Sequence, residues 1–220
     1  FRMYMMFMGP YELGGDWSDK GIVGVDRFVQ RTYSLFNSHK SFSSLYPAKE
    51  KYNLDELSDT EKTIYRKVNQ TLEKVNGEIE HFRFNTAVAA LMELINELKS
   101  LDECRNDFKT YVLERFAIMI APLAPHLGEE CWNILGKGKS LYQSPNWFDV
   151  DKSALVEDKV NIAVQINGKL RATIEVPNNS DKETTAKFVK SDERVIKYIQ
   201  DKEIIKEIFV PNKIYNIVIK

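Results

Sequence analysis

At 220 residues with 43% hydrophobic content, the chain holds enough apolar material for one or two packed domains, and a formal net charge of -1 excludes a uniformly basic nucleic-acid binder. The balance conceals a mild asymmetry: residues 1–156 carry 19 Lys and Arg against 22 Asp and Glu, whereas residues 157–220 carry 12 against 10, so the second stretch is the better place to meet phosphate. No run reaches the ~18 apolar residues of a membrane span, and Gly9-Pro10 cuts the opening FRMYMMFMGP too short for a secretory signal, so neither membrane insertion nor secretion is expected.

That opening starts on Phe1 with large apolar residues already under way, and reads as a segment entered midway. Ile22, Val25, Val29, Tyr33 and Phe36 then recur at helical spacing, and 37–57 has no clean period and reads as an extended connection. Ser58 to Glu61 forms S-x-x-E, a capping box ahead of a helix carrying Ile64, Val68, Leu72, Val75 and Ile79. Phe84, Val88, Leu91, Ile95 and Leu98 alternate steps of four and three, one continuous stripe. A fourth helix carries Phe108, Val112, Phe116, Met119 and Ile120 and should end near Ala121-Pro122. Pro125 suits the first turn of a fifth, with Leu127, Cys131, Ile134 and Leu135 inward, until 136–140 stops it. Helices joined by mostly short connections make a bundle.

After Trp147 the composition turns polar and acidic, which predicts a linker over 148–158. Beyond it two strand pairs bracket a helical stretch capped by Ser180 or Asp181, the second pair turning at Pro211-Asn212-Lys213. The expectation is a mostly α chain: a helical bundle over 21–147, then a small α+β domain over 159–220 with two antiparallel hairpins.

The first hairpin, VQINGKLRATIEVP, poses a parity problem. Val160, Ile162, Val164 and Ile166 share one side, as do Leu170, Ala172, Ile174 and Val176. A two-residue loop at Asn167-Gly168 would set Ile166 opposite Lys169 and Val164 opposite Arg171. A three-residue loop, with Gly168 at the positive φ of a G1 bulge, aligns the apolar sets. It leaves Asn161, Ala163, Gln165, Lys169, Arg171 and Thr173 on an outer face, either a solvated sheet surface or a platform for phosphates.

No catalytic centre is visible. His39, His81 and His126 are isolated from ligand-spaced partners, and zinc, phosphate-loop and nucleophile-elbow patterns are absent, so neither catalytic nor metal residues are expected. Cys104 and Cys131 lie 27 positions apart in helix-like context and read as reduced, buried thiols of a cytoplasmic protein.

The stretches FRMYMMFMGPYE, WSDKGIVGVDRFVQR, RFNTAVAALMELINEL, APLAPHLGEECW, VQINGKLRATIEVP and FVPNKIYNIVIK, in this order, resemble the C-terminal region of bacterial-type leucyl-tRNA synthetases across nearly the whole chain. RFNTA and APxAP resemble pieces shared with the valine and isoleucine enzymes; the opening and the VQxNGKxR hairpin point to leucine. The resemblance implies that 1–20 is the tail of a catalytic region, 21–147 the helical anticodon-binding domain and 159–220 a mobile domain meeting the tRNA corner and variable arm. The family's HIGH and KMSKS motifs do not occur, so the chain alone is expected to be inactive and to hold no cofactor, with ATP and Mg belonging to the full-length enzyme. The implied partners are tRNA(Leu) and the missing catalytic and editing domains. Lys169 and Arg171 are the expected phosphate contacts, Asn167 (with Asn161 and Gln165) the base or sugar contact, Lys213 the next cation, and Arg27 and Arg31 contacts to the tRNA stem. The family usually has glycine where Asn212 stands; Asn tolerates the left-handed conformation. The rival reading is a protein-interaction helical module without RNA binding.

Overall fold

Helix α1 (Arg2–Phe7) buries Met3 and Tyr4, and the Tyr4 hydroxyl locks Ser18 in place, donating to its carbonyl at 2.8 Å and accepting from its N–H at 2.7 Å. Ser18 in turn caps α2 (Asp19–Asn37). Residues 1–20, expected as the tail of another region, are thus partly in the core of the helical unit. This computed structural model describes residues 1–143, 147–156, 159–200 and 202–220. The chain divides into two units, Phe1–Leu155 and Val156–Lys220.

In the first unit, α2 buries Val25, Phe28, Thr32 and Phe36, a stripe rotated from the expected one, which leaves Tyr33 exposed. The stretch read as an extended connection contains a one-turn helix, α3 (Phe42–Leu45), and a 3-10 turn at Leu54–Glu56. Ser58 and Glu61 form the expected capping box at the start of α4 (Asp59–Glu80). Helix α5 (Phe84–Glu97) packs its predicted stripe against α4.

Helix α6 (Asn106–Ile120) is buried at every position from Thr110 to Ile120, so it runs through the middle of the unit with no solvent face. Two charged residues go in with it. Glu114 accepts from Ser43 and pairs with Lys137 at 2.6 Å. Arg115 lies between the rings of Tyr111 and Phe148, its guanidinium carbon 3.4 Å and 4.0 Å from their centroids, and donates to the Glu50 carbonyl at 2.7 Å.

Pro125 opens α7 (Pro125–Ile134) at its first turn. A Cβ placed on Gly128 would come within 2.8 Å of the Ala121 Cα, so α7 meets the end of α6 at a distance only glycine permits. Gly128→Ala is therefore expected to lower stability by about 1–3 kcal/mol in urea unfolding, with the helical signal of the native state unchanged.

The predicted linker over 148–158 is, as far as Leu155, part of this unit. Asp151 accepts from the Tyr65 hydroxyl at 2.7 Å and donates its N–H to Asn69 at 2.9 Å, and Ala154 is fully buried. Its polar composition conceals residues that bond to α4. Residues 157–158 of that expectation lie outside the described residues.

The second unit begins with β1 (Lys159–Ile166) and β2 (Lys169–Pro177), continues through α8 (Lys182–Ser191) and α9 (Glu193–Ile199), and closes with β3 (Ile204–Val210) and β4 (Ile214–Ile219). The sheet order is β2-β1-β4-β3: two antiparallel hairpins joined through a parallel contact of β1 with β4. Val189 and Val195 of the helices pack on Ile162, Val164, Ile174, Val176, Tyr215 and Ile217. Asp181, one of the two expected caps, accepts from the Thr184 N–H at 2.8 Å.

The first hairpin corrects the expected loop. Its turn has two residues, Asn167 and Gly168, both at positive φ (49° and 78°), with Ile166 paired to Lys169. Parity is restored inside β2 instead: Val164 pairs with Ala172 and Gln165 with Leu170, leaving Arg171 as the extra residue of a bulge. Val160, Ile162 and Val164 thus stay opposite Val176, Ile174 and Ala172, whereas Leu170 moves to the outer face and is 60% exposed. The second hairpin turns at Pro211-Asn212-Lys213 as expected, with Asn212 left-handed at φ 57°.

Candidate nucleic-acid interface

Helices α8 and α9 cover one face of the sheet, and the register fixes what the other presents. It carries Asn161, Ala163 and Gln165 from β1, Leu170, Thr173 and the carboxylate Glu175 from β2, Ile214, Asn216 and Val218 from β4, and Lys206, Ile208 and Val210 from β3. Its β3 edge is more apolar than the sequence suggested, with Ile208 and Val210 each 41% exposed. Cations stand at its margins, Lys206 on β3 and Lys213 at the second turn, whereas Lys169, expected on this face, pairs with Ile166 and so lies toward the helix-covered side at the tip of the first hairpin; all three are exposed and none is in an ion pair among the described residues.

The candidate residues do not form one cluster. Lys169 follows the turn at the end of β1 beside the end of β4, whereas Lys213 precedes the start of β4 and its carbonyl accepts from the Ala163 N–H at 2.9 Å. They therefore mark opposite ends of the β1–β4 pair. Arg171, displaced by the bulge, leans on α9 with its guanidinium 4.4 Å from the centroid of Tyr198, so neither it nor Lys169 occupies the expected outer face. Asn167 has structural partners: its Nδ2 donates to the Ile219 carbonyl at 3.2 Å and its Oδ1 accepts from the Ile219 N–H at 2.9 Å. Those partners are backbone groups 52 positions away, which no local pattern in the sequence links to Asn167.

Other charges hold the unit together. The Lys190 ammonium, 2.6 Å from Glu207, holds that carboxyl below its usual range despite partial burial, and the Tyr215 hydroxyl adds a bond at 3.0 Å. Arg194 pairs with Asp192 at 2.7 Å and also donates to the Thr173 carbonyl at 3.1 Å.

In the helical unit Arg27 is exposed on α2, and Arg31 donates to Asn96 of α5 at 3.0 Å. Arg31 lines a shallow groove of about 430 Å³ with Gln30, Ser34, Ser38 and Lys99. Lys99 is a cation the sequence reading missed, because only packing brings it to α2.

Over residues 61–186 the chain matches the family described as the anticodon-binding domain of tRNA ligase, more than half its length. The chain belongs to that family. Across 226 aligned residues the chain is 39% identical to a leucine–tRNA ligase of Petrotoga mobilis, an alignment taking in 100% of the chain and 27% of that protein. It also superposes on LeuRS of Agrobacterium radiobacter, crystallised in a ternary complex with tRNA and LeuAMS, with a TM-score of 0.84 and 26% identity over 100% of this chain and 28% of that one. The chain thus spans about a quarter of the length of the relatives it matches.

Burial pushes the Cys104 thiol up to about 11 and the Cys131 thiol up to about 12, so neither supplies a thiolate near neutrality. No group of metal-binding side chains is present among the described residues, and no described helix is long and apolar enough to cross a membrane.

Proposed function

We propose that this chain is the tRNA-positioning C-terminal part of a cytoplasmic leucine–tRNA ligase, whose remaining regions bind ATP and Mg and carry out leucine activation, transfer and editing. The observation that supports it most is the likeness, over all of the chain, to a LeuRS solved with tRNA. In this reading the open sheet face meets the tRNA corner. Ile208, Val210 and Ile214 offer an apolar patch to exposed bases, Leu170 stands at the opposite edge, Lys206 and Lys213 neutralise phosphates around the face, and Lys169 adds charge from the tip of the first hairpin. Arg171 contributes positive charge from its place on Tyr198, and Asn167 holds the turn that presents Lys169. Arg27 and Arg31, with Lys99, face the tRNA stem from α2 and its neighbour.

The test is retention of tRNA(Leu), with and without its variable arm, and of an unrelated tRNA, by the isolated chain across a salt series. Retention that prefers tRNA(Leu) and fades linearly in log affinity against log salt is the expected outcome. No retention at any salt would overturn the reading in favour of a protein-interaction module, for which the apolar open face is then the docking surface.

A further inference from the structure

We propose that Asn167 is a site of spontaneous deamidation held in check by β4. The chain contains two Asn-Gly dipeptides, Asn76-Gly77 and Asn167-Gly168. Without a Cβ on the following residue, the backbone nitrogen of glycine can approach the asparagine side-chain carbonyl carbon with the least hindrance. Asn76 lies inside α4, and its Oδ1 accepts from the Trp147 indole at 2.6 Å. Asn167 instead sits in an exposed two-residue turn.

The reaction needs the Gly168 nitrogen to lose its proton and attack Asn167 Cγ. The Cγ–Nδ2 bond then breaks and ammonia leaves, closing a succinimide. Water adds to either ring carbonyl and opens it to aspartate or isoaspartate, so the sequence consumes water and releases ammonia with no redox partner.

Each reacting group is held by β4. The Gly168 N–H donates to Asn216 Oδ1 at 3.2 Å, away from Cγ. Both ends of the Asn167 amide are tied to Ile219, and the Asn167 N–H donates to the Ile217 carbonyl at 2.9 Å. Attack therefore waits for the end of β4 to lift from β1. The product cannot re-form the clamp. A carboxylate has no N–H for the Ile219 carbonyl, the isoaspartate form adds a backbone methylene to a turn with no spare residue, and the new negative charge stands beside Lys169.

The experiment incubates the full chain at mildly alkaline pH and follows both asparagines by peptide mapping and mass spectrometry. In urea the two should react at similar rates, and in the native wild type both should be slow. Asn216→Ala should raise the native rate at Asn167 roughly tenfold, as expected for loss of one hydrogen bond that guards the nucleophile, with Asn76 unchanged. Asn216→Asp, which keeps an acceptor for Gly168, should stay near the wild type. Native Asn167 reacting as fast as in urea, or an unchanged rate in Asn216→Ala, would overturn the proposal. Should Asn216→Ala fail to fold, wild-type protein at sub-denaturing urea decides: the Asn167 rate must track hydrogen exchange at the Ile219 amide, and a rate that ignores it overturns the proposal.

Discussion

Glu61→Ala is expected to remove about 3 kcal/mol from the stability of the helical unit, because one buried carboxylate serves three donors at once. It accepts from the Ser58 N–H at 3.1 Å in the capping box, and from the Arg105 N–H and guanidinium at 2.9 and 3.2 Å. It thus ties the start of α4 to the start of α6, and alanine leaves the Ser58 and Arg105 backbone donors without their side-chain acceptor. Burial by itself raises the Glu61 pKa, but the backbone N–H groups of Arg105 and Ser58, followed by the Arg105 guanidinium, outweigh it and hold the carboxyl below its ordinary value. The sign follows from linkage. Since the folded pKa is the lower one, the contribution is fully present above the unfolded value of ~4.3 and is lost as pH falls through the folded value. Urea titrations from neutral pH into acid should show the wild type losing stability over that window, and Glu61→Gln, which cannot titrate, losing less. Equal acid sensitivity of the two would remove Glu61 from the explanation.

The second large effect concerns binding under the proposed role. Lys169→Ala with Lys213→Ala should weaken tRNA(Leu) binding roughly a hundredfold, about tenfold for each charge-assisted contact, and lower the salt slope by about 1.5–2. Both side chains are exposed, so urea unfolding should be nearly unchanged. Because the two lysines mark opposite ends of the β1–β4 pair, their effects should add rather than couple. Arg171→Ala should differ in kind: it removes the stack on Tyr198 as well, so a modest loss of stability of about 0.5–1 kcal/mol accompanies any loss of binding. Filter binding at several salt concentrations, paired with urea melts, separates the cases, and an unaltered salt slope in the lysine double variant would sink the assignment.

Local signals in the sequence proved legible where one element contains the whole cause. The capping box at Ser58 and Glu61, proline at the start of α7 and the α5 stripe each depend on residues within a turn or two. The central position of α6 was not legible, since Glu114 and Arg115 look like solvent-facing charges until Ser43, Lys137, Glu50 and Phe148 arrive from elsewhere. Parity in the first hairpin had two solutions, an odd loop or a bulge, and alternation alone does not separate them. The bulge won, and with it Leu170 joined the candidate surface while Arg171 left it. Arg31 was found on α2, but its neighbour Lys99 belongs to the next-packed segment, and no pattern in sequence links them.

The sheet order β2-β1-β4-β3 places the last strand next to the first, at the centre rather than at an edge. Either hairpin alone is marginal in water, so the second unit gains its core only when segments some fifty positions apart meet. On the ribosome, the helical unit can consolidate while synthesis continues, but the sheet must stay open until its closing strand has emerged from the exit tunnel.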